Sequence, residues 1–599
     1  MVGKNITNCI YKIKIKRKDM IKKLLAVMIT LSVLGCGEQS ADKQIADMIL
    51  QNGKVYSFAW DEPSVEGVPA TNAPVLDGVW SPDAEAIAIK DGVIIGVGSD
   101  IEVAAFKGEG TKTLDLKGAY IYPGFVDTHT HIEELGATLD DVNLKGVQSE
   151  EEAVQRVVDH IEKYNPPKGQ WIVARGWDEG RWADSYPTEK LLTERVPDYP
   201  VLMDGTNGFG AWGNKMAMER AGITKDSENP VGGIIHRYEN GEPNGAVRNR
   251  GVALYREAVP PLSHERMMNR LKNGLQLMAN DGYTMVHHAG ANTPIMKAYQ
   301  GLNEAGELQI RVSAMISGRD KPQMLEWIKS GPKRYESNKL FVHSVKGYYD
   351  GSLGARGAKM VEEYSDMPGQ IGVSGEEYGF FTKEIGDILQ AGFQVNVHAI
   401  GDGGNRGVLY FFRDNFKKNP ELQKLRHRIE HAQVVHPDDF KLFDELDIIA
   451  AVQPPFVAED KVWTVDRIGP ERAKGAYAWR TFRRNNVPLA FGSDLMGYSW
   501  NIFYGLHSAI TRQSKDGQPE GGWYPEEKLT SEETVRGYTT GAAYSGFVEN
   551  ETGTLEVGKW ADITVLDMDV LNVGDHNPAD LLKGKVLMTI ADGVIVYKE

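Results

Sequence analysis

Eight short β-type runs, each followed by a stretch of helical pattern, govern what this chain can fold into. They are Phe125–His131, Tyr283–Ala289, Ile310–Ile316, Ser344–Asp350, Phe393–Ile400, Arg428–Ala432, Ile448–Gln453 and Pro488–Asp494. Strand–helix alternation is the pattern of a parallel α/β domain, and eight repeats fit a (β/α)8 TIM-like barrel. The gap between the first two runs is far too long for one helix. Residues about 137–265, rich in Trp and Gly, are therefore expected to form an inserted subdomain over the strand C-termini, where barrel active sites sit. Both chain ends read as β structure in need of partners. Ala86–Ile89 and Gly92–Gly98 are joined by the hairpin signal Lys90-Asp91-Gly92, and Asp562–Leu566 and Val586–Tyr597 repeat the style. The economical arrangement is one β-sandwich built from residues 43–122 and 552–599, flanking a barrel over 123–551.

The first run ends in Asp127-Thr128-His129-Thr130-His131. Residues i and i+2 of a strand point the same way, so two imidazoles can aim at one point. Neutral imidazole is the commonest nitrogen ligand of divalent metals. Further potential ligands end or lie in later runs: Lys346 in the fourth, His398 in the fifth, His431 in the sixth and Asp494 in the eighth. Singly, each has a structural reading as a core histidine, a buried lysine stem or a helix-capping aspartate. The ordered set of six is what points to a metal centre.

Composition narrows the chemistry. The formal charge is −16, with no basic stripe outside the N-terminus, which argues against a nucleic-acid partner. Lys16-Arg17-Lys18 and Lys22-Lys23 precede an apolar run, Leu24–Leu34, too short to span a bilayer. The run ends in Val33-Leu34-Gly35-Cys36, which resembles a bacterial lipobox. Residues 1–35 are expected to be a signal peptide, possessing a more typical start at Met20 than at Met1, and Cys36 the lipidated first residue of the mature chain. Gly37 after the cysteine favours an outer-membrane or cell-surface destination. The other cysteine, Cys9, lies in the removed segment, so a mature chain has no thiol for disulfide, zinc-thiolate or nucleophilic chemistry.

The motifs together resemble the metal-dependent amidohydrolase superfamily, in the branch called amidohydrolase family 3, which includes N-substituted formamide deformylases. They are Pro123-Gly124-Phe125-Val126-Asp127-Thr128-His129-Thr130-His131, Asp350-Gly351-Ser352-Leu353-Gly354, His398-Ala399-Ile400-Gly401-Asp402, Arg428-Ile429-Glu430-His431-Ala432 and Phe491-Gly492-Ser493-Asp494. Gly553-Thr554-Leu555-Glu556-Val557-Gly558-Lys559-Trp560-Ala561-Asp562 adds the stretch that returns the chain to the sandwich. The resemblance implies that His129, His131 and Asp494 hold one divalent ion, zinc by preference. It implies that His398 and His431 hold a second and that carboxylated Lys346 bridges the two. One ion on His129, His131, His398 and Asp494 is the rival arrangement. The implied activity is hydrolysis of a non-peptide C–N bond in a small molecule by metal-activated water, with Asp494 as proton acceptor. A deaminase, an ester or lactone hydrolase, and a non-catalytic surface binding protein are the alternatives.

Departures bear on substrate. Between Asp204 and Asn214 the family usually carries a histidine; here none occurs, and Phe209 can take its place. His288 stands where relatives often have Asp, so His287 and His288 are candidates to stand behind the ligands, with simple packing against the barrel as the alternative. Aromatic residues Trp171, Trp177, Trp182 and Trp212 in the insertion read either as a substrate slot or as subdomain core. Trp463, Tyr477 and Trp479 after the seventh run, and Arg512, are expected at the mouth. The substrate contacts inferred are thus Phe209, Trp212, Trp463, Trp479 and Arg512.

Overall fold

The computed structural model describes residues 44–177, 187–205, 210–230, 233–495 and 497–599. The signal segment, Cys36, Trp182 and Phe209 lie outside them. All eight expected runs form strands: β1 Phe125–Thr130, β2 Tyr283–Ala291, β3 Arg311–Ser317, β4 Ser344–Tyr348, β5 Gln394–Ala399, β6 Arg428–His431, β7 Ile449–Val452 and β8 Leu489–Phe491. They pair in parallel and in chain order from β1 to β8. β8 returns to β1 through Asp127, whose Oδ1 accepts from the backbone N–H groups of His129 and Ser493, both at 3.0 Å. The Asp494 N–H donates to the His129 carbonyl at 2.8 Å. The barrel is thereby fastened at its C-terminal end, where the expected ligands stand. β1, β7 and β8 are buried along their whole length, which is why β7 and β8 read as apolar runs without alternation.

The ends of the chain meet as expected. Strands Val93–Gly98, Ala86–Lys90, Met48–Gln51 and Lys112–Asp115 form one sheet. Lys54–Val55, Tyr120–Pro123, Ile563–Leu566, Val586–Ala591 and Val594–Lys598 form the other, with Tyr120–Pro123 paired antiparallel to Ile563–Leu566. Leu50, Ile87 and Ile94 from the first share one apolar core with Ile121, Val565 and Ile590 from the second. Two Asp-Gly hairpins, Asp91-Gly92 and Asp592-Gly593, have positive φ at both residues, as a tight hairpin turn matching strand twist requires. Below the barrel, buried Arg311 at the start of β3 pairs with Asp562 at 2.7 Å and Asp592 at 3.1 Å, tying barrel to sandwich.

Between β1 and β2 the chain makes the expected insertion. Helix Ile132–Asp140 leaves β1 and helix His264–Asn280 returns to β2. Arg270 on the second joins Glu133, Asp140 and Asp141 at the end of the first, at 3.1, 2.6 and 2.6 Å. Between them stands a separate six-stranded sheet, in the order Val142–Asn143, Ile172–Trp177, Val201–Gly205, Gly210–Gly213, Pro243–Asn249 and Gly233–Arg237. Trp177 and Trp212 meet edge to face on one side of this sheet, and Trp171 packs with Leu202 and Tyr255 on the other. The subdomain-core reading therefore describes these three tryptophans, and the slot reading of Trp212 gives way: its side chain is fully buried within the insertion.

Candidate metal centre

Six side chains from five strand ends converge at the C-terminal face of the barrel. His129, on β1, is fully buried, with its Nε2 3.1 Å from Lys346 Nζ on β4 and 3.6 Å from Asp494 Oδ1 beyond β8. His131 Nε2 lies 3.1 Å from the same carboxylate oxygen. His431, ending β6, places Nδ1 3.9 Å from Asp494 Oδ2, and its ring is 4.9 Å from that of His129. His398 on β5 completes the set, with its ring 4.5 Å from that of His431. Its Nε2 is buried without a hydrogen-bond partner. His129, His431 and Asp494 can each offer one atom to a common point, their ligand atoms lying within 4.8 Å of one another.

The backbone makes this convergence by leaving the strand conformation. His431 has φ +76° and Asp494 φ +52°. Non-glycine residues held in this region cost free energy and cluster at functional sites. For His431 the turn is decisive. Glu430 precedes it on the strand and points at His129, so simple alternation would send His431 to the opposite face.

A second layer fixes the imidazoles. His129 Nδ1 donates to Glu430 Oε2 at 2.5 Å. Glu430 is itself held by Arg428, through Nε at 2.8 Å and Nη2 at 2.5 Å to Oε1. Arg428 also donates to the Thr128 carbonyl at 2.7 Å and to His287 Nδ1 at 2.9 Å. His431 Nδ1 donates to Gln453 Oε1 at 2.7 Å, leaving Nε2 as its acceptor. His288 is hydrogen-bonded to Tyr299 at 2.9 Å, with its ring 6.3 Å from His131. His287 and His288 thus stand behind the ligands, as expected of them. Such contacts set tautomer and ring orientation at metal sites.

The electrostatics suit a cation. Burial lowers the His129 pKa, takes His431 down to about 3 and holds His398 well below its ordinary value, so the imidazoles are neutral. Burial also brings the Lys346 amine down to about 8, Glu430 and Asp494 opposing the shift and Arg428 and Arg319 adding to it. Burial would raise the Asp494 carboxyl; the hydrogen bond from His131, and positive charge on His129, His431 or His131 whenever one of them is protonated, act the other way and bring it well below the ordinary carboxylate value. Neutral imidazoles, a carboxylate and a lysine with a lowered pKa, around an orphaned buried nitrogen, fit a divalent ion.

One wall of the site is aromatic. Phe456 stacks on His431 with centroids 5.8 Å apart, and Tyr498 lies 3.9 Å from Phe456. Buried Asp460 holds this wall, accepting from Tyr498 at 2.6 Å and Tyr477 at 2.7 Å. Of the expected mouth residues, Trp463 is half-buried against Gly354 in the loop after β4. Trp479 and Arg512 correct the expectation. Trp479 is buried against Phe491, with Arg512 over its ring at 4.9 Å. Arg512 donates through Nε and Nη1 to the carbonyls of Trp523 and Tyr477 at 2.6 and 2.8 Å, pinning two loops inside the fold, while its Nη2 is buried without a hydrogen-bond partner among the described residues. Sequence reasoning missed Glu430, Arg428, Gln453, Phe456, Tyr498 and Asp460. The first two stood inside a quoted motif, and Glu430 directly before a ligand was the available signal.

Comparison with known proteins agrees with this geometry. The amidohydrolase YtcJ of Bacillus subtilis is 30 % identical over 86 % of this chain and 96 % of its own length. The N-substituted formamide deformylase of Arthrobacter pascens is 23 % identical over 86 % of this chain and 95 % of its own length. The crystal structure of an uncharacterised metal-dependent hydrolase from Pyrococcus furiosus superposes with a TM-score of 0.69 at 26 % identity, covering 88 % of this chain and 99 % of that one. The sequence profile of the Amidohydrolase family matches residues 112–597, and the chain belongs to that family of enzymes.

Proposed function

We propose that the chain hydrolyses a non-peptide, amide-type C–N bond in a small molecule at this centre, using Asp494 to move the proton. The observation that carries the proposal is the convergence of His129, His131, Lys346, His398, His431 and Asp494 at the C-terminal face of the barrel. We assign His129, His131 and Asp494 to one zinc ion, His398 and His431 to a second, and carboxylated Lys346 between them. When bound, such ions supply Lewis acidity and lower the pKa of water toward 7. An ionised Asp494 can accept the proton of the attacking water and return it to the leaving nitrogen. Lys346 supports the carbamate assignment. It is fully buried, its amine is brought down to about 8, and its hydrogen bond is to an imidazole rather than to a carboxylate. A neutral amine adds carbon dioxide with loss of one proton, turning a repelled cation into a two-oxygen ligand.

The test is a screen of N-formyl and N-acyl amines, cyclic amides and simple esters with zinc-loaded enzyme, alongside metal analysis. Turnover of an amide, loss of that turnover on chelation and its return with zinc are the expected results. Two metals per chain and a Lys346 mass increase of one carbon dioxide support the binuclear assignment. Hydrolysis of esters alone would overturn the C–N assignment.

We further propose that Cys36 is lipidated after removal of residues 1–35 and anchors the enzyme on the periplasmic face of the outer membrane or at the cell surface. The support is the apolar run Leu24–Leu34 ending at Cys36. Detergent-phase partitioning of the full chain, lost in Cys36→Ser, is expected; equal partitioning of both would refute the anchor.

A further inference from the structure

The end of β3 carries a guanidinium that makes no ion pair among the described residues. Arg319 follows Ser317 and Gly318 out of the strand and is solvent-exposed. Among the described residues no carboxylate lies within ion-pair distance of it. Asp320, next to it in sequence, and Glu384, the partner of nearby Lys321, are both engaged. Asp320 accepts from the Thr293 N–H and hydroxyl at 2.9 and 2.7 Å and from the Gln323 N–H at 3.1 Å. Glu384 pairs with Lys321 at 3.0 Å. In a chain of formal charge −16, this solvent-facing cation at the rim of the centre is open to an anion from outside.

The side chain is nonetheless held. Its guanidinium carbon lies 4.0 Å from the centroid of Tyr348 and 5.7 Å from that of Tyr378. Tyr348, at the end of β4, is seated with care. The other neighbour of its ring is Lys346 Nζ at 5.0 Å, and the ring stands 6.5 Å from that of His398. Its hydroxyl fills the space a side chain would take at Gly290 on β2: a Cβ there would come within 2.4 Å of the oxygen, and Gly290 has φ +105°. Glycine at this bulged position is what lets the tyrosine occupy that place. One ring thus separates Arg319 from the lysine and histidine of the metal centre. A guanidinium resting its face on a ring keeps its N–H edge free, and that edge matches a carboxylate in two parallel hydrogen bonds.

We propose that Arg319, positioned by Tyr348, recognises a carboxylate carried by the substrate several bonds from the scissile C–N bond. This rests on the hydrolase reading above and names the substrate class within it. Matched N-formyl alkylamines, with and without a terminal carboxylate, are assayed over a range of chain lengths with zinc-loaded enzyme. Wild type is expected to favour the carboxylate by about tenfold or more in kcat/KM at its best length. Arg319→Ala should erase the preference through KM, Arg319→Lys should restore part of it, and Arg413→Ala on the outer helix Asp402–Phe416 should leave it intact. A wild type indifferent to the carboxylate, or a preference that survives Arg319→Ala, overturns the proposal while leaving the hydrolase reading standing. If neither series is hydrolysed, the C–N reading is judged by the wider screen of N-acyl amines, cyclic amides and esters. Calorimetric titration of hexanoate against hexanamide then decides Arg319: tighter hexanoate binding, lost in Arg319→Ala, supports it, and equal binding refutes it.

Discussion

Asp494→Asn is expected to lower kcat by roughly 10²–10⁴-fold, the usual contribution of a positioned proton acceptor, while the protein stays folded and keeps its metal. The substitution preserves shape, and one side-chain oxygen can still face His131 Nε2, now 3.1 Å from Oδ1. The backbone bond from residue 494 to the His129 carbonyl is untouched, so the left-handed turn that places the group survives. Asparagine tolerates that region better than most residues. Four imidazoles remain to hold metal. What is removed is the ability to accept a proton, since an amide is neither basic nor charged near neutral pH. Metal content by atomic absorption, thermal midpoint and kcat on the substrate found by screening are the three readouts. Turnover within tenfold of wild type, with metal retained, would remove Asp494 from the proton-transfer role.

The barrel and the convergence of the six candidate side chains were legible because each rests on a local signal. β7 is four apolar residues with every side chain buried, and such a short run between helical stretches fits a strand inside a sheet covered on both sides. Histidine pairs and a lysine inside apolar strands are costly unless something uses them, so the residue types themselves pointed to the centre. The support behind the ligands left no such trace. Arg428 and Glu430 reach Thr128 and His129 across some three hundred residues of sequence, and nothing in either segment names the other as its partner. Aromatic side chains were ambiguous for a different reason. Trp463 at the rim and Trp479 in the interior follow the same strand and differ only in which helix face the tertiary packing covers. Arg512 misled in the same way: a buried arginine can be held by carbonyls and a tryptophan face instead of a carboxylate, and sequence does not show carbonyls turning inward. Arg319 escaped notice because its significance is a missing partner, which only the folded chain reveals.

Glu430→Gln is expected to damage both stability and metal binding, though Glu430 is not itself a ligand in the proposed centre. The carboxylate is fully buried between two donors, His129 Nδ1 and the Arg428 guanidinium. Burial opposes its ionisation, but Arg428 and His129 hold its pKa well below the ordinary glutamate value. Glutamine offers one acceptor and one donor group in the same volume. With the oxygen toward Arg428, the new NH2 faces His129 and forces its proton from Nδ1 to Nε2, where the metal should sit. With the oxygen toward His129, the NH2 opposes the guanidinium and leaves a buried charge without its counterion. Breaking a buried ion pair by removing one member costs about 3–5 kcal/mol. Losing the residue that orients a ligating histidine typically lowers metal affinity by about 10–100-fold. A urea midpoint on metal-free protein measures the first effect, and competition with a calibrated chelator measures the second. Arg428→Met combined with Glu430→Gln separates them, since removing both charges should recover much of the stability while leaving His129 without its acceptor. Stability and metal affinity recovering together in the double variant would show that Glu430 serves only to neutralise Arg428, and that His129 needs no carboxylate to present Nε2.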